Sequence, residues 1–268
     1  MSKITLHLFS FLSIMICVSA SAQKLPAIQP NSIKPPANLK IDGKTNEWNN
    51  TFQAYNGNID AFYSISNDDS NLYLVVKTKD ETTAKKMIGA GIVLSITPEK
   101  NKFENGCSIG PAVNESATLT ISNAYMEFKQ YAGKKDRSKQ ADSSLTVVNK
   151  AVTTSMKEII VAGVTGIDNV IPVYNEQGIR SAMLFDNSGA LTWEFAVPLK
   201  YLKSAMGNKP SFFYNLIVRG MRNNAKSVTS RSTGVTAMVV NTPRSMGTSN
   251  QDQLMNTTDF WGEYKLAK

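Results

Sequence analysis

The sequence is poor in histidine and cysteine. It has one histidine, His7, and two cysteines, Cys17 and Cys107, in 268 residues. His7 and Cys17 fall in a segment that we expect to be removed, so the mature chain keeps one thiol and no imidazole. This excludes histidine-dependent catalytic triads, cysteine–histidine pairs, histidine-ligated zinc sites and an intrachain disulfide. Without a histidine to activate it, Cys107 is expected to be an inert thiol.

The chain also lacks an apolar run long enough to span a bilayer, which takes about 20 residues. Its first residues instead have the pattern of an export signal. Lys3 supplies positive charge, residues 4–18 are mostly apolar, and the three residues before Gln23 are small. We therefore predict a signal peptide over residues 1–22, export to the periplasm or the cell exterior, and no membrane span.

The chain carries too small an excess of positive charge to indicate a protein that binds polyanions. The net charge of +8 is modest, and a modest excess usually serves solubility rather than nucleic acid binding. Residues 134–139 form a basic run, but no aromatic side chain interleaves with the charges. A solvated hairpin tip is therefore favoured over a patch for an acidic polymer, and no nucleic acid partner is expected.

Strong helical periodicity is scarce, and most of the chain alternates apolar with other residues over short stretches. The clearest stretch is residues 191–199, a predicted strand that ends at Pro198 because proline has no N–H to donate. Residues 98–114, rich in glycine, proline and asparagine, predict a long surface loop. Residues 82–87 predict one helical turn or a loop, and residues 199–206 a single short helix. The other predicted strands cover residues 59–65, 72–76, 91–96, 117–128, 145–148, 159–164, 170–174, 182–185, 212–218 and 260–266.

These short strands, separated by turn residues, predict an all-β fold. We expect an antiparallel two-sheet β-sandwich, jelly-roll-like, with at most one or two short helices. Four prolines make residues 23–38 an extended tether that holds the folded part away from its surroundings. Residues 39–268 are predicted to form a single domain, since the sequence has no internal repeat and no later linker.

The turn at residues 67–71 carries the candidate residues for a metal ion. Asp68 and Asp69 have the oxygen ligands that calcium prefers. The full spacing of a known calcium-binding loop is missing, which favours a plain turn. Structural calcium at these two residues stays an alternative, and no other cofactor is predicted.

Four motifs occur in a fixed order along the chain. They are Ile41-Asp42-Gly43 with Glu47-Trp48, residues 65–74, Trp193-Glu194-Phe195-Ala196-Val197-Pro198-Leu199, and residues 260–266. This order resembles carbohydrate-binding module family 9 and the wider group of DOMON-like sandwiches. The resemblance spans residues 39–268, and the four motifs together carry it.

The resemblance implies a two-sheet antiparallel sandwich that binds a ligand without catalysing a reaction. Members of the family hold the end of a saccharide between two aromatic side chains, often beside structural calcium. In this chain the clamp positions fall at Met87 and Met255, which are the candidate ligand-binding residues, and neither has an aromatic neighbour. Because a thioether lacks the flat face that stacks on a sugar ring, the resemblance predicts the fold more strongly than the sugar site.

The predicted function is that of a secreted non-catalytic binding domain that recognises a carbohydrate, or another extracellular ligand, through loops at one end of the sandwich. The first alternative is a structural or assembly protein of the bacterial envelope with protein partners, which the export signal and the missing aromatic clamp favour. The second alternative is a glycoside-processing enzyme, which needs two carboxylates roughly 5 to 9 Å apart across a cleft. Glu194, an acid in the predicted central strand, is expected to have a hydrogen-bonding role instead.

Overall fold

The computed structural model describes residues 24–134, 139–221 and 250–268. In these residues eleven strands, numbered in chain order, form two antiparallel sheets, which confirms the predicted all-β two-sheet sandwich. The first sheet contains, from edge to edge, β1 (Ala54–Asn56), β2 (Ala61–Asn67), β3 (Asn71–Thr78), β9 (Leu191–Pro198) and β8 (Arg180–Phe185). The second sheet contains β11 (Thr258–Lys265), β10 (Ser211–Val218), β4 (Ile92–Thr97), β5 (Cys107–Pro111), β6 (Glu158–Ala162) and β7 (Val170–Pro172).

Four α-helices and one 3₁₀ turn lie outside the sheets in the described parts of the chain. They are α1 (Glu81–Gly89), α2 (Glu115–Lys129), α3 (Lys139–Ser155), α4 (Asn250–Met255) and the 3₁₀ turn Leu199–Tyr201. The helical content is therefore larger than the sequence led us to expect. Within the described residues, no helix combines the length and the apolar character that crossing a membrane requires.

The two sheets face each other because their strands alternate core-facing side chains with others. Trp193, Phe195 and Val197 of β9 are fully buried between the sheets, whereas the residues between them point to the outer face of the first sheet. Tyr63 of β2 and Tyr214 of β10 meet across the interior with their hydroxyl oxygens 2.9 Å apart. Each buried hydroxyl therefore has a hydrogen-bond partner, as buried polar groups require.

The strands predicted at residues 117–128 and 145–148 are wrong, because these residues lie in α2 and α3. Threonine, isoleucine, valine and tyrosine gave both segments the composition of strands, but the spacing of their buried residues is helical. The buried residues are Ile121, Ala124, Tyr125 and Phe128 in α2, and Ser144, Val148 and Val152 in α3. The two helices contact each other, and α3 lies beside β8 at the edge of the first sheet.

The long loop predicted at residues 98–114 is wrong for its later part, which contains β5. A Cβ added to Gly110 would lie 2.3 Å from the carbonyl oxygen of Ile92. Glycine therefore serves a close approach between strands here, and not a loop. Cys107 is 3% exposed, and burial raises the pKa of its thiol to about 12. Because the thiolate is the reactive form, this burial agrees with the expected inertness, which stays a prediction.

The predicted tether (residues 23–38) does not hold the sandwich away from its surroundings. Residues 24–33, which we call the strap, form no helix or strand, as the prolines predicted, but they lie against the sandwich. The N–H of Asn67 at the end of β2 donates to the carbonyl oxygen of Ile33 over 3.2 Å. Ile28 packs against the main core. Composition predicted the extended conformation, but docking depends on partners far along the chain.

Helix α1 carries a buried lysine that contacts the first residue of β11. Lys86 is 3% exposed, and its ammonium donates to the hydroxyl of Thr258 over 2.9 Å. Within the described residues no carboxylate forms an ion pair with it. Burial lowers the pKa of Lys86 from 10.5 to about 8, although the charge of Asp80 opposes the shift. The charged form is therefore disfavoured in the folded protein.

We predict that Lys86→Met stabilises the protein at pH 7 by on the order of 1–3 kcal/mol, because it removes the cost of a buried charge. Between pH 8 and 10.5 the unfolded chain holds a proton at Lys86 that the folded chain has lost. Lys86 therefore contributes a rise with pH to the free energy of unfolding in this window, while Cys107 and the buried tyrosines, whose pKa values are raised, contribute a fall. In urea unfolding curves recorded from pH 7 to 10.5, the variant should lack the contribution of Lys86, so its slope should be lower than that of the native protein.

Lys85→Met is the matched control. Lys85 is the preceding residue of the same helix and forms a surface ion pair with Glu81 at 2.7 Å. Its loss should change the free energy of unfolding by less than about 1 kcal/mol and leave the contribution of Lys86 to the pH dependence unchanged. If the Lys86 variant keeps the same slope between pH 8 and 10.5 as the native protein, the assignment is wrong.

Candidate binding site

Glu194 is a fully buried acid on the outer face of the first sheet. Its Oε2 accepts hydrogen bonds from the backbone N–H groups of Asp42 at 3.0 Å and Gly43 at 2.9 Å, and its Oε1 accepts one from the indole N–H of Trp48 at 2.9 Å. Trp48 packs with Val75, the cross-strand partner of Glu194, in an apolar cluster on this face. One carboxylate therefore holds the first and third sequence motifs together.

This arrangement is structural. Burial raises the pKa of Glu194 to about 7, and the three hydrogen bonds that it accepts act against that shift. Both carboxylate oxygens are engaged and shielded from solvent, so the expected hydrogen-bonding role is confirmed. Gly43 has a φ of +82°, and an added Cβ would lie 2.9 Å from the Cγ of Leu184, so that glycine alone suits the turn.

The structure places the two methionines of the expected clamp on neighbouring helices, since α1 and α4 contact each other. Met87 is 0% exposed and belongs to the main core. Met255 ends α4 and is partly buried. Because Met87 presents no surface to a ligand, this pair does not flank an open groove.

Asp68 and Asp69 lie in the turn between β2 and β3. Asp68 Oδ1 accepts hydrogen bonds from the N–H groups of Ser70 and Asn71, both at 2.7 Å, and Oδ2 accepts one from the hydroxyl of Tyr73 at 2.7 Å. Burial opposes ionisation of Asp68, but these donors outweigh it and lower its pKa. They fix the carboxylate in the turn and use both of its oxygens.

Asp69 does not complete a calcium-binding set. Its side chain is 98% exposed, and its nearest charged partner is Lys34 at 3.5 Å. Calcium takes 6–8 oxygen ligands, and the described residues contain no group of three or more acidic, histidine or cysteine side chains suited to a metal ion. The two aspartates therefore do not fit the calcium site that the resemblance implies.

A cleft opens where the strap passes β11, the edge strand of the second sheet. Its volume is about 210 Å³, and its walls are strap residues on one side and β11 residues on the other. They are Gln29, Pro30, Asn31, Ser32, Glu263, Tyr264 and Lys265. The hydroxyl of Ser32 donates to the carbonyl oxygen of Lys265 and joins the two walls. The cleft is smaller than the roughly 300–1,000 Å³ of a drug-sized pocket, and its size suits one sugar ring or a similar polar group.

Trp261 lies on the same face of β11 as two of the residues that line the cleft. Phe260 and Tyr264 point into the core, so Trp261, Glu263 and Lys265 point outward by strand alternation. Glu263 and Lys265 are exposed, and Trp261 is partly exposed. An indole, a carboxylate and an ammonium therefore follow one another at steps of roughly 7 Å along one edge strand.

The loop between β4 and β5 supports the indole. Phe103 of this loop contacts Trp261, with ring centroids 5.1 Å apart and ring planes inclined at 54°. Tilted pairs of this kind are favourable and limit the freedom of both rings. Phe103 is itself only partly exposed, so the pair forms a small aromatic surface on the outer face of the second sheet.

The sequence analysis missed this site for two reasons. The prolines predicted a free tether, and the resemblance placed the ligand-binding positions at Met87 and Met255. Two signals could have indicated it. The alternation of residues 260–266 places Trp261 and Glu263 on one face. The polar residues Gln29, Asn31 and Ser32 stand among the prolines, where a plain spacer has no need of hydrogen-bonding side chains.

No family model, curated protein or solved structure matches the chain. The resemblance to carbohydrate-binding module family 9 and the DOMON-like sandwiches therefore stays a prediction from four motifs.

We predict that Glu194→Ala lowers the free energy of unfolding by about 3 kcal/mol, because three N–H donors lose their acceptor. Urea unfolding at pH 7 measures the loss, and the circular dichroism of Trp48 in the near ultraviolet should weaken as its indole is released. Glu158→Ala, which removes an exposed carboxylate from strand β6, is the control and should stay within about 0.5 kcal/mol of the native protein. Equal stability of the two variants would refute the structural role.

Proposed function

We propose that the chain is an exported, non-catalytic binding domain that recognises a saccharide at the cleft between the strap and β11. The observation that carries this proposal is Trp261, a partly exposed indole on the same face of β11 as Glu263 and Lys265, which line a small polar cleft. Aromatic faces stack on the C–H faces of sugar rings, and nearby polar side chains bind the hydroxyl groups. The site runs along an edge strand, and not through loops at one end of the sandwich.

The polar groups at the cleft match the hydrogen bonding of sugar hydroxyls, which both donate and accept. Glu263 supplies an acceptor and Lys265 a donor, while the amide of Asn31 supplies both. Glu263 and Lys265 are exposed, so they are accessible to a ligand. A saccharide lying along β11 would meet the indole with one ring and these polar groups with the next.

We predict that Trp261→Ala weakens saccharide binding by about tenfold or more, equivalent to about 1.4 kcal/mol. A glycan array identifies the ligand, and calorimetry measures its affinity. The chain has three tryptophans, of which Trp48 and Trp193 are 5% and 0% exposed. A change in intrinsic fluorescence on adding the saccharide should therefore come from Trp261 and vanish in the variant.

Tyr174→Ala is the matched control for an exposed aromatic. Tyr174 is 87% exposed and follows β7, at the opposite edge of the same sheet from β11. Its removal should leave affinity unchanged within about twofold. Loss of binding in both variants would point to a general effect on folding. A native protein that binds no saccharide on the array would refute the sugar proposal.

A second function, assembly with envelope proteins, is favoured by a separate observation on α2. Leu119 and Met126 are 70% and 51% exposed and stand seven residues apart, on one face of the helix. That face lies opposite the buried residues of α2. Val147 of α3 is also exposed, at 50%. Apolar side chains at such regular spacing are typical of surfaces that contact proteins.

If this second function holds, Leu119→Ser with Met126→Ser should lose, by about tenfold or more, a partner that co-purifies with the native protein from its own envelope. The Tyr174→Ala variant should retain that partner. Quantitative mass spectrometry of the three purifications compares them. A set of co-purifying proteins that is identical for all three proteins would contradict this alternative.

A further inference from the structure

The strap contacts both sheets and closes the side of the sandwich between β2 and β11. Strand β1 pairs only with residues 61–63 of β2, so the rest of β2 needs another neighbour. The N–H of Asn67 donates to Ile33 O at 3.2 Å, and the hydroxyl of Tyr264, on β11, donates to the same oxygen at 3.3 Å. The strap therefore serves both sheets at once.

Gln29 provides the central attachment of the strap and is 4% exposed. Its amide nitrogen donates to the carbonyl oxygens of Ile65 at 2.8 Å and Asn31 at 2.7 Å, and its amide oxygen accepts from the N–H of Ile65 at 2.8 Å. The side chain thus pairs with Ile65 as a peptide group of an adjacent strand would. The same amide holds Asn31 in place, directly beside Ser32.

A second contact carries the attachment into the interior. The backbone N–H of Gln29 donates to the hydroxyl of Tyr63 at 3.0 Å, and Tyr63 meets Tyr214 of the second sheet. The Tyr63 hydroxyl in turn donates to Ala27 O at 3.3 Å. Gln29 is therefore tied to the strand edge by its side chain and to the tyrosine pair by its backbone.

Four consecutive strap residues, 29–32, form one wall of the cleft. We propose that Gln29 is a positioning residue for the ligand site: its amide docks the strap against β2 and thereby sets Asn31 and Ser32 opposite Glu263. This proposal rests on the proposed function for its ligand. If the strap undocks, the cleft loses a wall while the aromatic surface of Trp261 stays in place.

Docking of the strap and binding of the ligand are then linked. A ligand that contacts both walls binds only the docked state, so it must favour docking by the same factor by which docking favours binding. Any variant that lowers the docked fraction reduces the apparent affinity in proportion. A residue that positions the strap should therefore change both docking and affinity, whereas a residue that only supports the fold should not change them together.

Hydrogen exchange followed by NMR or mass spectrometry tests whether Gln29 docks the strap. The Gln29→Ala variant is compared with the native protein. The reporters are the N–H groups of Tyr55, Ile65 and Asn67, which donate to Pro26, Gln29 and Ile33 in the docked strap. We expect their exchange to accelerate by about tenfold or more in the variant. Ser32→Ala, a substitution at an exposed residue, is the milder second variant if Gln29→Ala does not fold.

The matched control is Asn149→Ala. Asn149 of α3 pairs with the backbone of Phe185 in the same manner, with its amide nitrogen donating at 2.9 Å and its amide oxygen accepting at 2.8 Å. It attaches to β8, at the far edge of the first sheet from β2. Its loss should accelerate exchange at Phe185 and leave the three strap reporters unchanged.

Calorimetry tests whether docking of the strap sets the affinity for the ligand. The probe is the saccharide that gives the largest Trp261 fluorescence change. Affinity should fall by about fivefold or more in Gln29→Ala and by less than about twofold in Asn149→Ala, and the saccharide should slow exchange at the strap reporters. Unchanged exchange in Gln29→Ala, or faster exchange with unchanged affinity, overturns the positioning role alone. A native protein that binds no saccharide overturns the proposed function and the link together.

Discussion

The structure depends on how the open edges of its sandwich are satisfied. Unlike a closed barrel, a two-sheet sandwich ends in strands whose peptide groups lack a neighbour on one side, and buried peptide groups need hydrogen-bond partners. Here, amide side chains replace the missing strand at two such edges, where Gln29 pairs with Ile65 of β2 and Asn149 with Phe185 of β8. Among the described residues, an amide accepts from the N–H and donates to the carbonyl oxygen of one other residue in four places, over 2.7 to 3.2 Å. The pairs are Gln29 with Ile65, Asn67 with Ala267, Asn149 with Phe185, and Asn175 with Ile179.

The cleft follows from this way of closing the fold. A full strand beside β2 would fill the gap between the sheets with a regular ladder. The strap instead contacts β2 through the side chain of Gln29 and reaches β11 through the hydroxyl of Ser32. Because these contacts lie at separate points, a space remains between them. Its walls carry polar side chains that are not part of any strand pairing. The edge is therefore protected from pairing with other chains, and a small polar cleft remains beside it.

The sequence predicted those features that a local pattern determines. Residues 191–199 alternate, so their burial between the sheets and the outward position of Glu194 could be foreseen. The helices α2 and α3 were missed because β-branched residues outweighed a helical spacing, which propensity alone does not resolve. The polar residues of the strap hinted at hydrogen bonding, but its docking could not be predicted, since Gln29 and Ile65 lie far apart in the chain. Contacts across 36 residues leave no periodic signal in the sequence.

The positions of the groups with shifted pKa values bear on the proposal that the chain recognises a ligand without transforming it. Strongly shifted pKa values often mark reactive centres, but ion pairs and burial within a framework also produce them. In this protein the shifts at Glu194, Lys86 and Cys107 have burial as their first cause, and all three residues lie inside the framework. Glu194 holds a turn, and Lys86 contacts a strand. Glu263 and Lys265 are exposed at the cleft, and Trp261 is partly exposed on the same face of β11; these side chains are chemically suited to hydrogen bonding and stacking. Glu194, Lys86 and Cys107 do not line the cleft, which supports the proposed function of recognition.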